Sequence, residues 1–461
     1  MTTLNSLLGP DIGEVLAHRR YDQLRNALVD MEPADIADLV QGLRDEQAAV
    51  VFRLLPRDLA ADVFSYLDPE QQQSLIAGLT TERVAALVNE MDPDDRTALL
   101  EEMPAEVAQR LMALLTPDER RVTQVILGYP EESVGRLMTP DYVRIKPTWT
   151  IAQAIEHIRH YGRDAETINV IYVVDDSGHL INELRIGQLL LAAPGQAVES
   201  IMDRKFVALQ ASDDREEAVR QMHRYDRVAL PVLDSRGILV GIVTADDVAD
   251  VAEAEVTEDM QKMGGMEALD APYMEIGFSR MVRKRAGWLS VLFLGEMLTA
   301  TAMGYYEMEI SRAVVLALFI PLIISSGGNS GSQATTLIIR AMAVGEVRLR
   351  DWLGVLAREL AAGLSLGAIL GVIALGRIFF WPSRETVYGE HYPLIAAAVA
   401  LSLVGVVTFG TFAGSMLPFV LRRLGFDPAA ASAPFVATVV DVTGIVIYFT
   451  IASLILGGVL L

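Results

Sequence analysis

The residues best placed to do chemistry lie in apolar parts of the chain. Asp441 sits inside a long hydrophobic stretch, and Pro434, Ala437 and Thr438 share its face at helical spacing. Upstream, Gly327-Gly328-Asn329-Ser330-Gly331-Ser332-Gln333, followed by Thr335-Thr336, interrupts another apolar stretch long enough to cross a bilayer. Lipid offers no hydrogen-bond partners, so polar side chains and glycines at that depth need a neighbouring helix or water. The spacing predicts a kink at Gly327-Gly328-Asn329 that presents backbone carbonyls and an amide to something passing through. Asp441, Asn329, Gly328, Ala437, Thr336 and Thr438 together form an oxygen-rich set with little charge. That suits Mg2+, which sheds water reluctantly and keeps several waters beside one or two carboxylates. A soft-metal path would want His, Cys or Met clusters. Two chains about a twofold axis would set two copies of Asp441 across one pore, matching one divalent ion. A buried structural hydrogen bond is the alternative for Asp441.

Membrane-spanning helices must hold these groups. Five stretches are long and apolar enough, at 286–306, 313–340, 353–380, 393–421 and 432–459. Arg280, Arg283, Lys284 and Arg285 precede the first; Arg340, Arg348 and Arg350 follow the second; Arg422 and Arg423 follow the fourth. The remaining loops are poorer in basic residues, so the charge bias places the N-terminal half in the cytoplasm and the C-terminus outside. The fourth stretch, with Gly405, Thr408, Gly410, Thr411 and Gly414, is rich in small residues that let helices approach closely.

Charge divides the chain. The whole carries −22; from Arg280 onward there are 13 basic and 10 acidic residues, against 25 and 50 before it. An acidic half of net −25 argues against nucleic acid and makes cations natural partners. The absence of cysteine removes disulfides and thiolate metal sites. No basic-then-apolar leader opens the sequence, so the long acidic half is expected to stay where it is made.

Residues 21–130 repeat an acidic or hydroxyl residue, a proline and an amphipathic run: Glu32-Pro33, Asp68-Pro69, Asp92-Pro93, Thr116-Pro117. Such pairs cap and start helices. Their spacing suggests stacked helical pairs in a small superhelical domain, although a plain bundle fits the same residues. From Gly135 the pattern becomes a duplicated strand–helix–strand–turn–strand–helix unit. It resembles a tandem cystathionine-β-synthase-type (CBS) pair, most closely where Gly241-Ile-Val-Thr244-Ala-Asp246-Asp247 ends the second copy. In such pairs Thr and Asp hold an adenosine ribose, which nominates Thr244 and Asp247 for ATP. The first copy has Gly187-Gln188 where an acidic residue would be expected. A purely structural, dimerising role is the alternative.

Beyond the second copy, Glu255, Glu258 and Asp259 lie on one helical face, and Asp247 and Asp250 are one turn apart. Like charges so spaced destabilise a helix by roughly 0.2–0.5 kcal/mol per pair. Either water solvates this face, or divalent cations bridge it to other carboxylates, with Glu216, Asp226 and Asp94 or Asp95 as candidates.

Together the Gly327-Gly328-Asn329 motif, the Pro434-to-Asp441 stretch, the CBS pair and the acidic helix resemble the MgtE family of bacterial magnesium transporters over nearly the full chain. The resemblance implies a multidomain fold: an α-helical superhelical N-terminal domain (1–134), an α/β tandem CBS pair (135–256), a connecting plug helix (257–281) and an all-α transmembrane domain with five spans (282–461). It implies a homodimeric Mg2+ channel in the bacterial cytoplasmic membrane, with Asp441 as the pore carboxylate and Asn329 in the selectivity region. Asp95, Glu216, Asp226, Asp247, Asp250, Glu255, Glu258 and Asp259 would sense internal Mg2+ and close the pore. A proton- or Na+-coupled carrier of Mg2+ or other divalent cations, with nucleotide-sensing CBS domains, is the rival. An intramembrane serine hydrolase at Ser330 lacks a base, because no span contains histidine.

Overall fold

Prolines open the helices of the N-terminal repeat. Pro33, Pro69, Pro93 and Pro117 each take the first position of Pro33–Gln41, Pro69–Gly78, Pro93–Glu102 and Pro117–Ile126. Asp68 and Thr116 complete two of these starts, their side chains accepting from the Gln71 and Glu119 amides. The intervening helices are Asp45–Leu54, Arg57–Ser65, Thr81–Glu90 and Ala105–Leu114. Most helices pack on the one two places further along, which is a superhelical stack and not a bundle around one axis. Ile36, Val40, Val51, Val63 and Phe64 are fully enclosed in its core.

The computed structural model describes residues 18, 20–269, 273–274 and 276–460. It separates into two units that meet between Glu253 and Ala254, inside helix Ala245–Met263.

The first unit continues into two small sheets of the same order. In one, β1 (Tyr142–Ile145) runs parallel to β2 (Thr167–Val174), which pairs antiparallel with β3 (Leu180–Arg185). In the other, β4 (Leu209–Gln210), β5 (Ala229–Leu233) and β6 (Leu239–Thr244) repeat that pattern. Helices Ile151–Tyr161 and Arg215–Tyr225 cross over between the parallel strands. The β2–β3 and β5–β6 turns are built alike. Asp175 accepts from the Ser177 and His179 amides, Asp234 accepts from the Arg236 and Ile238 amides, and Gly178 and Gly237 take φ of +87° and +81°.

The second unit holds five helices long and apolar enough to cross a membrane, spanning Phe278–Tyr305, Val314–Ala343, Leu349–Phe379, Tyr392–Arg423 and Ala433–Leu456 among the described residues. The expected kink is absent: Ile320–Ala343 is one uninterrupted helix through Gly327, Gly328 and Asn329. The glycines serve close packing instead. A Cβ on Gly410 would lie 2.3 Å from the Gly327 carbonyl oxygen, and one on Gly414 would lie 2.1 Å from that of Gly331. Thr335 ties the same crossing by donating to the carbonyls of Gly331 and Gly414, both at 2.9 Å. Gly363, Gly367 and Gly371 let the third span meet the fourth at Thr408, Val404 and Ala400 in the same way. The connecting helix also differs from 257–281. It ends at Met263, where Gly264 and Gly265 (φ +73°) stop it, and the next helix starts at Phe278. Residues 270–272 and 275 of that stretch lie outside the described residues.

Candidate ion path and acidic cluster

In the membrane unit the second and fifth spans cross antiparallel. Gly331 backs onto Val436, Gly328 onto Ala437 and Gly327 onto Val440, with a Gly328 Cβ falling 3.6 Å from that of Ala437. Two residues of the candidate set, Gly328 and Ala437, therefore touch. Asp441, one position beyond Val440, is half-buried; among the described residues it has no ion pair and no side-chain hydrogen bond. Asn329, Gln333 and Thr336 lie together on the outer face of the second span and are exposed in the protomer. Thr438 donates to the Pro434 carbonyl of its own helix at 3.0 Å. The second span thus has one face locked by glycines and another, polar face left uncovered.

In the first unit, carboxylates from three segments converge. Helix Pro93–Glu102 supplies Asp94 and Asp95, the first CBS copy supplies Asp141 and Glu166, and the start of helix Ala245–Met263 supplies Asp246, Asp247 and Asp250. Burial, then the neighbouring charges of Asp247, Asp95 and Glu166, holds the Asp94 carboxyl well above the usual carboxylate range. Burial and Asp92 push Asp95 up to about 6, with Asp246 and Asp250 adding smaller amounts. Burial raises Glu166 to about 7, helped by Asp92, Asp247, Asp246 and Asp95. Burial also raises Asp247 to about 7, against the hydrogen bond from Thr244. Asp141 rises to about 6, through burial and then Glu119 and Asp92. The Asp94 side chain is 9% exposed, and its Oδ1 finds no hydrogen-bond partner. Among the described residues no three of these groups close around one point as a ready-made metal site.

The helix that brings Asp94 and Asp95 into the cluster is fixed by Arg96. This guanidinium is almost fully buried, donating to the Met91 carbonyl at 2.7 Å and pairing with Glu119. Glu216 and Asp226 stand apart from the cluster, exposed at opposite ends of helix Arg215–Tyr225. Asp226 caps that helix in a left-handed conformation, φ +48°. Asp92, Asp141, Glu166 and Asp246 were not among the sequence candidates. Only tertiary folding brings Asp141 and Glu166 to the others, so no spacing signal marks them.

Glu255, Glu258 and Asp259 belong to the second unit. There Lys262 pairs with Glu258 and, at 2.7 Å, with Asp427 in the loop before the fifth span. Met263 packs against Ile339, Ala429 and Ala431, and the Trp288 indole donates to Ser432 at 3.2 Å. Burial, then Asp427, pushes Asp259 up to about 6. The end of the connecting helix is therefore fastened beside the C-terminal ends of the second and fourth spans and the N-terminal end of the fifth. Thr244 donates to Asp247 at 2.7 Å, so these two nucleotide candidates satisfy each other.

Comparison with known proteins accords with this layout. Residues 31–132 match the MgtE intracellular N domain, 134–194 and 198–254 match the CBS domain, and 320–451 match the divalent cation transporter domain of MgtE. The chain is 39% identical to the magnesium transporter MgtE of Thermus thermophilus, over 98% of this chain and 99% of that one. It is 30% identical to magnesium transporter MgtE of Bacillus subtilis, over 73% and 72% of the two chains. A solved cytosolic domain of the Mg2+ channel MgtE, in complex with ATP, superposes with a TM-score of 0.50 at 37% identity, covering 52% of this chain and 98% of that one. The soluble part of a magnesium transporter superposes with a TM-score of 0.52 at 24% identity, covering 54% and 99%, a likeness of fold. With its helical N-terminal domain, CBS pair and five membrane-length helices, the chain belongs to the MgtE family of magnesium transporters and is a multi-pass membrane protein.

Proposed function

We propose that the chain works as a homodimeric Mg2+ channel in the bacterial cytoplasmic membrane, opened when internal Mg2+ is scarce and closed when it is abundant. The observation that carries this reading is the uncovered polar face of the second span beside a mid-span carboxylate with no cationic partner. On insertion scales, a charge at the bilayer centre costs about 2.5–3.5 kcal/mol. Water and a passing dication offset that cost, and a second copy about a twofold axis covers Asn329, Gln333 and Thr336. Asp441 then presents its carboxylate to the hydrated ion; Asn329, Thr336 and the Gly328–Ala437 contact shape the passage around it.

The acidic cluster supports the regulatory half of the proposal. Its carboxylates repel one another in the docked arrangement, so ions that bind only that arrangement shift the population toward it. Without a closed three-ligand site, each Mg2+ would bridge carboxylates while keeping most of its waters. Asp95, Asp247 and Asp250 take part directly. Glu216, Asp226, Glu255, Glu258 and Asp259 would bind ions elsewhere on the acidic surface. The fastening of Lys262 and Met263 next to the pore loops offers a physical route from cytosolic compaction to closure. On this reading the chain divides near 134, 256 and 281, its N-terminal half is cytosolic and its C-terminus lies outside. ATP would bind the second CBS copy through Thr244 and Asp247, each giving up the hydrogen bond it now makes to the other.

Complementation tests the reading. Wild-type protein restores growth of cells lacking other Mg2+ importers in low Mg2+, and Asp441→Ala does not. Normal growth with Asp441→Ala at wild-type membrane levels removes Asp441 from the path.

A further inference from the structure

A second carboxylate lies within the membrane unit, and the pathway described above does not use it. Glu296 sits two-thirds of the way along the first span, Phe278–Tyr305, exposed on the protomer. Among the described residues it has neither an ion pair nor a side-chain hydrogen bond. It lines a groove of about 750 Å3 whose opposite wall is Pro434, Ala437 and Thr438, the fifth-span face that carries Asp441 by helical spacing. Leu292 and Phe293 also line the groove, and Glu296 is its only ionisable side chain. Gly295 makes this geometry: a Cβ there would lie 2.7 Å from Thr438 Cγ2, so the missing side chain lets the two spans cross next to Glu296. Asp441 in turn lies within electrostatic reach of Glu296.

An unpaired carboxylate in hydrocarbon is costly, and a like charge within reach raises the cost for both. Among the described residues no arginine or lysine meets the pair, and no hydroxyl or amide donates to Glu296. A dication relieves both charges at once. The groove is far larger than a bare ion needs, and Mg2+ holds its inner waters, so contact through water suits it.

We propose that Glu296 is a second cation-holding carboxylate, taking a water-clad divalent cation in the groove between the first and fifth spans and exchanging it with Asp441. This rests on the reading of Asp441 as the pathway carboxylate, so the test separates the two. Full-length wild-type protein, Glu296→Gln, Glu296→Asp and Asp441→Asn are reconstituted in liposomes, and Mg2+ entry is followed with an internal fluorescent indicator. Glu296→Gln is expected to raise the half-saturating Mg2+ concentration ~10-fold, about 1.4 kcal/mol, with Glu296→Asp between it and wild type. A wild-type saturation curve for Glu296→Gln alongside an inactive Asp441→Asn overturns the Glu296 proposal and leaves the Asp441 reading standing. If Asp441→Asn transports normally, that reading falls, and the Glu296→Gln curve still decides Glu296 by itself. Should Glu296→Gln fail to fold, the wild-type protein supplies the decision. Mg2+ protects Glu296 from modification by dicyclohexylcarbodiimide, read by peptide mass spectrometry, if the proposal holds, and equal modification with and without Mg2+ overturns it.

Discussion

Residues 1–279 hold 50 acidic and 25 basic side chains, whereas 10 acidic residues face 13 basic ones from Arg280 onward, and the two regions use carboxylates in different ways. In the first unit no single acid stands alone: Asp94, Asp95, Asp141, Glu166 and Asp247 each feel several others, and each is shifted upward. In the fifth span Asp441 has, among the described residues, neither an ion pair nor a side-chain hydrogen bond and only Glu296 within electrostatic reach, on helices set by glycine contacts of van der Waals tightness or closer. The contrast teaches what each arrangement can do. A crowd of carboxylates gives a graded response to ion concentration, and losing one member weakens it. A carboxylate on the path itself gives an all-or-none step, and losing it removes the step.

Packing variants probe the membrane side of this contrast hardest. Gly414→Ala forces a methyl into the Gly331 carbonyl and the Thr335 hydroxyl, and is expected to cost about 1–3 kcal/mol and to lower flux with it. A thermal melt of the detergent-solubilised protein reads the loss; an unchanged melting temperature would mean the crossing is looser than described. On the cytosolic side, neutralising Glu255, Glu258 and Asp259 together is expected to leave open-state flux intact and to raise several-fold the internal Mg2+ needed for closure. Unchanged closure would make that face ordinary surface.

Protons offer a finer test. The cluster carboxyls have folded-state pKa values raised above those of the unfolded chain, so their protonated forms favour the docked arrangement. That contribution is fully present below about pH 4 and is lost as pH rises through the folded values of about 6 for Asp95 and Asp141 and about 7 for Glu166 and Asp247. In EDTA the soluble half should therefore become easier to digest with protease between pH 5.5 and 7.5, and millimolar Mg2+ should close most of that gap. Digestion independent of both pH and Mg2+ would contradict the cluster's role. The smallest effect belongs to a cap: Thr116→Ala should cost about 1 kcal/mol and leave transport unaffected, as a residue that only starts a helix must.

Much of this architecture is legible in local sequence because its causes are local. Proline at the first helical position, Asp and Gly in the sheet turns, and apolar runs of membrane length act within a few residues. The glycines of the second span show the limit of that reasoning. Gly327-Gly328 looks like a break in isolation, and only the facing Val406, Gly410 and Val440 turn it into a packing surface within an intact helix. The acidic helical pattern running to about Lys262 ends at Met263 with the stop signal Gly264-Gly265, and a separate helix starts at Phe278. In the acidic cluster, Asp247 and Asp250 can be picked from charge spacing and Asp95 from the family resemblance, but Asp141 and Glu166 join through the fold alone. Glu216 and Asp226, read as ion-sharing partners of the acidic helix, lie exposed at opposite ends of their own helix in the protomer.

On the proposed reading, Asp441 meets a hydrated dication on its way through the membrane. Flux into proteoliposomes under a Mg2+ gradient, with no imposed pH or Na+ difference, tests it most directly. Steady entry is expected through the wild-type protein, and entry no faster than into protein-free liposomes with Asp441→Asn. Equal entry through both proteins, or entry that requires a proton or Na+ gradient, would contradict it.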